Sequence, residues 1–166
     1  MKNILVVTIF LLFCSSAALS ADLDIGTHAN FYLPPEGGGN TLSTGIDATY
    51  RIDNYVSARG SVDNASYSAN NIHYSLTSLT IDLIYHALGK NTLDPYIGAG
   101  VGYYEQKADL ETTSSTGLNA LAGILFHFQS FNAGIEVKYV VPDTHHMETG
   151  FYSVGGQLTG GLHITL

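Results

Sequence analysis

Tyr96-Ile97-Gly98-Ala99-Gly100-Val101-Gly102-Tyr103 alternates residue by residue. Ile97, Ala99, Val101 and Tyr103 fall on one side and Gly98, Gly100 and Gly102 on the other. That period of two marks a β-strand with one apolar face. Glycine along the opposite face relieves crowding and allows the sharp curvature of a narrow barrel.

The same alternation extends in both directions. It places eight strands at about 23–32, 43–52, 55–62, 76–87, 96–104, 118–128, 131–141 and 154–166. Leu79, Ile81, Leu83 and Tyr85 oppose Ser78, Thr80, Asp82 and Ile84 in the fourth. Phe131, Ala133, Ile135, Val137 and Tyr139 oppose Asn132, Gly134, Glu136 and Lys138 in the seventh. Asp53-Asn54, the stretch 89–94 and Gln129-Ser130 are short turns. The connections 33–43, 63–75, 105–116 and 142–150 read as long polar loops. Eight strands of about ten residues, with long and short connections alternating, fit a small transmembrane β-barrel. Its long loops then face outside and both chain ends face the periplasm.

The N-terminus has its own pattern. Met1-Lys2-Asn3 is positive, residues 4–13 are apolar and residues 15–21 are mostly small. This is the layout of a secretory signal peptide over 1–21, with Cys14 leaving alongside it. Residues 22–166 are the expected barrel domain, and they contain no cysteine for a disulfide. No later run is apolar and long enough for a membrane-spanning helix. A net charge of −8 excludes a nucleic-acid partner, which would need a basic face.

A soluble eight-stranded barrel alternates too, with its apolar face inward. Charge distribution separates the two readings. Charged residues make up only 12% of the chain, about half the usual share for soluble proteins. The apolar strand faces carry none of them. Asp47, Asp82 and Glu136, with Arg51, Arg59 and Lys138, all fall on the polar faces. Arg59, Asp82 and Glu136 sit at similar depth, with Asp47 close by. These six residues are the expected interior ionic network, filling a lumen just wide enough for side chains. Tyr50, Tyr55, Tyr85, Phe128 and Phe131 gather near the short turns. Phe31, Tyr103, Tyr139 and Phe151 gather near the long loops, so the two sets form interfacial belts.

The stretch Pro95 to Tyr103 resembles a strand of the small outer-membrane β-barrels of the OmpA and OmpX type. Thr159, Gly161, Ile164 and Leu166 resemble the C-terminal signal read by the barrel-insertion machinery, although its last residue is usually aromatic. The resemblance implies an all-β, eight-stranded antiparallel up-and-down transmembrane barrel in the outer membrane. It implies outer-membrane lipid and lipopolysaccharide as surroundings, and no cofactor.

Chemistry is weakly signalled. His145, His146, Asp143, Glu148 and His73 read as exposed loop residues rather than metal ligands. His127 and His163 read as interior filler. The run from His127 to Asn132 resembles a lipid A deacylase pattern of His-x-Ser beside Asn, at a spacing one residue too long. The expectation is a barrel that is not an enzyme, with a structural or surface-exposed role. A narrow channel, a lipid A-modifying enzyme and a loop-mediated adhesin with a surface ligand remain the other readings.

Overall fold

The strands expected from alternation close into a barrel. The computed structural model describes residues 23–33, 41–69, 72–89, 91–108, 111–129, 131–142 and 151–162. The strands are β1 (Leu23–Leu33), β2 (Thr41–Arg51), β3 (Val56–Ala69), β4 (Ile72–His86), β5 (Leu93–Ala108), β6 (Glu111–His127), β7 (Asn132–Pro142) and β8 (Phe151–Leu162). Each pairs antiparallel with the next, and β1 pairs with β8 from Leu23↔Leu162 to Leu33↔Tyr152. Closure removes every edge along the shared wall, as a backbone in hydrocarbon demands. The expected signal segment lies outside the described residues.

In β4, Leu79, Ile81, Leu83 and Tyr85 are exposed, whereas Thr80 and Asp82 are each 1% exposed. Ile25, Ile97, Leu118 and Ile135 repeat the outward pattern on other strands. Apolar side chains therefore coat the outside and polar ones fill the inside. That is the inverse of a water-soluble barrel and matches a lipid-facing wall. The short-turn aromatics Tyr55, Tyr85, Phe128 and Phe131 are all exposed at one end. Phe128 and Phe131 stack at 4.6 Å across the β6–β7 turn.

The short turns follow from local chemistry. Asp53 Oδ1 accepts from the amides of Tyr55 and Val56, each at 2.7 Å, which reverses the chain between β2 and β3. Gly89 takes a φ of +64° in the β4–β5 turn, a conformation that disfavours side chains with a Cβ.

Two of the four expected long loops are corrected. Most of 63–75 and 105–116 is strand, paired as far as Ala69↔Ile72 and Ala108↔Glu111. The hydrophobic signal stops at the membrane boundary, but the backbone ladder does not. Beyond that boundary the outward face is polar too, so Ser66, Thr77, Ser75 and Thr112 pair with no outward apolar stripe to announce them. β6 has 17 residues, where crossing the bilayer needs only about 9–11. The segments 34–40 and 143–150, within the other two expected loops, lie outside the described residues.

Candidate functional site

The lumen is built in layers. In the middle, Arg59 reaches from β3 across the barrel to Glu136 on β7. Its two terminal nitrogens donate to the two carboxylate oxygens at 2.7 and 3.0 Å. Such a bidentate pair is the strongest geometry open to Arg and a carboxylate. Arg59 also donates to Asp82 on β4 at 3.3 Å. Lys138 donates to Asp82 at 3.1 Å and to Thr80 at 2.9 Å. Tyr96 gives its hydroxyl proton to Glu136 at 2.9 Å. Two cations thus face two carboxylates, and the layer is neutral.

Apolar side chains flank this layer. Ile84, Tyr96 and Leu121 cluster toward the short-turn end, and Ala65, Leu76, Tyr104 and Val140 cluster on the other side. The glycine face of β5 explains how so narrow a tube holds them. A methyl at Gly100 would collide with the Asp82 carboxylate and the Ile81 carbonyl. Glycine is required there for close approach.

Four of the six residues expected in the network, Arg59, Asp82, Glu136 and Lys138, meet directly. Asp47 is held by His28 Nδ1 at 3.2 Å, and the other ring nitrogen of His28 bonds to Asp63. Arg51 lies lower and approaches Asp94 at 3.8 Å. Depth counted from the turns puts Asp47 near the central pair, but β1 supplies it a nearer partner, as β5 does for Arg51.

The sequence reading missed His28, His86 and Asp94, which form much of the polar interior. Ser57 Oγ lies 2.8 Å from His86 Nε2, and His86 Nδ1 lies 2.7 Å from Asp94 Oδ2. His127 Nε2 meets the same Asp94 oxygen at 3.1 Å, and His127 Nδ1 lies 2.9 Å from Asn132 Oδ1. His86 falls within the expected fourth strand on the face of Asp82, and alternation continued two residues before the assumed start of the fifth would have placed Asp94 inside. The Ser–His–Asp order is that of a nucleophilic relay. Yet Ser57 is fully buried, and it does not line the cavity of about 30 Å³ beside His86. The Ser57 hydroxyl is therefore held away from solvent.

A second cavity, of about 880 Å³, runs along β1–β3. It mixes lumen-facing His28 and Asp63 with outward Ala29, Ile46 and Val62, so no single chemistry defines it. At the extended β3–β6 end, Tyr67 and Tyr74 stack at 5.0 Å, and Gln106 donates to the Tyr67 hydroxyl at 3.0 Å. Burial there, with Tyr74 alongside, raises the Tyr67 phenol above its ordinary range.

Thr159 and Gly161 of the expected insertion signal lie on β8, in register with Gly26 and Asp24 of β1. Ile164 and Leu166 lie outside the described residues, as do His163 and the histidines at 145 and 146. Among the described residues no cluster of three or more His, Cys, Asp or Glu is arranged to hold a metal ion.

Residues 6–159 match the family model for the outer membrane protein beta-barrel domain. Comparison with curated proteins finds no match. Among solved structures, Neisserial surface protein A superposes with a TM-score of 0.70 at 16% identity, covering 87% of this chain and 98% of that one. The N-terminal β-barrel domain of Pseudomonas aeruginosa OprF gives 0.62 at 21% identity, covering 86% and 98%. The outer membrane enzyme PagL gives 0.58 at 11% identity, covering 84% and 99%. At these identities the likeness concerns the fold alone.

Proposed function

The chain belongs to the outer-membrane β-barrel domain family, and on that premise we propose that it is a closed, non-enzymatic barrel with a structural or surface-exposed role. The outer membrane is its site, and bilayer lipid is its surrounding. The reading adds export by a cleaved signal at residues 1–21, delivery to the barrel-insertion machinery, and short turns on the periplasmic side. Lipopolysaccharide then surrounds the extended end of β3–β6.

One observation carries the closed state. The Arg59–Glu136 pair crosses the lumen between two apolar clusters, so a permeating ion would have to part a bidentate ion pair. The ionic network acts here as filler that holds opposite walls together. The buried hydroxyl of Ser57 supports the non-enzymatic part of the reading. The polar extension of β3–β6 is the surface available to a ligand outside.

Single-channel recording in planar bilayers tests the closed state. The expected trace is flat, and reproducible conductance steps would replace this reading with the channel. Lipid A mass profiles from cells with and without the protein test the enzyme. Identical profiles are expected, and a lost or gained acyl chain would overturn the non-enzymatic reading.

A further inference from the structure

The short-turn mouth holds a cluster that the ionic layer does not use. Ser57, His86, Asp94, His127 and Asn132 come from β3, β4, β5, β6 and β7, and their side chains form one unbroken chain along these five neighbouring strands at the mouth. Asp94 is its centre. Both histidines converge on a single oxygen of that buried carboxylate, at 2.7 and 3.1 Å. We infer that this chain is an acid-sensitive latch: it holds the mouth shut while at most one of His86 and His127 is charged, and it loosens when both are.

Proton accounting supports this. A neutral His86 donates from Nδ1 to Asp94 and accepts the Ser57 hydroxyl proton at Nε2. A neutral His127 donates from Nε2 to Asp94 and accepts at Nδ1 from Asn132, once the amide is turned to offer its nitrogen. Every member then has a partner. Histidine is the side chain whose charge ordinarily changes between about pH 5 and 8.

The charged groups around the mouth decide the outcome. Arg51 of β2 lies 3.8 Å from Asp94, and Asp24 of β1, Arg51, Arg59, His86 and Tyr96 line the small cavity beside it. Glu136 of β7 is engaged by Arg59 and Tyr96, and Asp82 of β4 by Arg59 and Lys138. Asp24 and Asp94 are therefore the carboxylates left for Arg51 and the two rings among the described side chains. One added proton brings two cations against two anions. A second leaves three cations against two, in a space where Ser57 and Asp94 are fully buried. An uncompensated charge in such a site is relieved by admitting water, which means parting the chain.

The test compares the folded mature protein in detergent with its His86→Gln/His127→Gln variant at about pH 7.5 and about pH 5. The wild-type unfolding midpoint is expected to fall by at least about 4 °C on acidification. The variant is expected to keep its midpoint, because a merely structural loss would lower it equally at both pH values. Equal acid-induced falls in the two proteins would overturn the latch. If the double variant does not fold, His127→Gln alone serves, since a single ring can add only one proton. Nitrogen-15 spectra of the wild-type histidines give a second readout. Protonation of both rings before unfolding is required, and a ring that stays neutral until the barrel unfolds would also overturn the inference.

Discussion

Replacing Arg59 and Glu136, singly and together, measures what the central layer contributes. Glu136→Met removes both bidentate bonds and leaves Arg59, 5% exposed, with Asp82 as its remaining carboxylate. Breaking a buried pair from one side costs about 3 kcal/mol. The Tyr96 hydroxyl loses its acceptor as well, for about 1 kcal/mol more. Arg59→Met leaves Glu136 with Tyr96 but no cation, and Asp82 with Lys138 alone, so it costs about 3 kcal/mol too. In the double variant the uncompensated charges disappear together, and the Lys138–Asp82 pair still balances itself. Its cost is expected well below the sum of about 7 kcal/mol, a coupling of at least about 3 kcal/mol. Urea unfolding of the refolded protein in lipid vesicles reads all four members of the cycle. Additivity within about 0.5 kcal/mol would refute the reasoning, because it would mean that the two side chains do not depend on each other.

Other positions test the wall and its extension. Ile81→Arg places a charge on an outward side chain at about mid-strand in β4, and in vesicles it is expected to cost about 2–4 kcal/mol. A change within about 0.5 kcal/mol there would argue that the outer wall does not meet lipid. Gly100→Ala forces a methyl against the Asp82 carboxylate and the Ile81 carbonyl, for a loss of about 1–3 kcal/mol by the same unfolding assay. Replacing the tip from Glu105 to Ser114 with Asn-Gly should leave a heat-modifiable barrel on gels, since the removed strand lies beyond the length needed to cross. Failure of that variant to fold would place the tip within the membrane-spanning wall.

The barrel was legible because lipid imposes one rule on every strand: apolar outward, at every second residue. Ile81, Ile97 and Ile135 obey it and are all exposed. Outside the bilayer that rule lapses. Ser66, Ser75, Lys107 and Thr112 lie side by side across β3–β6, yet nothing in their alternation distinguishes a ladder from a loop. The two long hairpins were therefore read as loops, although their backbones pair to the tip.

Partner choice inside the lumen was legible only in part, for a geometric reason. Charges on one polar face can be assigned a depth by counting from the turns, which brings Arg59, Asp82 and Glu136 together. Counting cannot give the reach of a side chain across the tube. Asp47 shares roughly that depth, yet it bonds to His28 because β1 is its hydrogen-bonded neighbour, with Gly26↔Asp47 in register. Asp94 was hidden differently: it ends the stretch 89–94 that reads as a turn, whereas β5 begins at Leu93. Both omissions fall on histidine partners, whose rings join carboxylates that sequence patterning leaves unassigned. The interior thus holds two kinds of contact. The central ion pairs are balanced at any pH where carboxylates stay charged. The histidine bridge at the short-turn mouth depends on where protons sit, so acid should act on that end of the barrel before its middle.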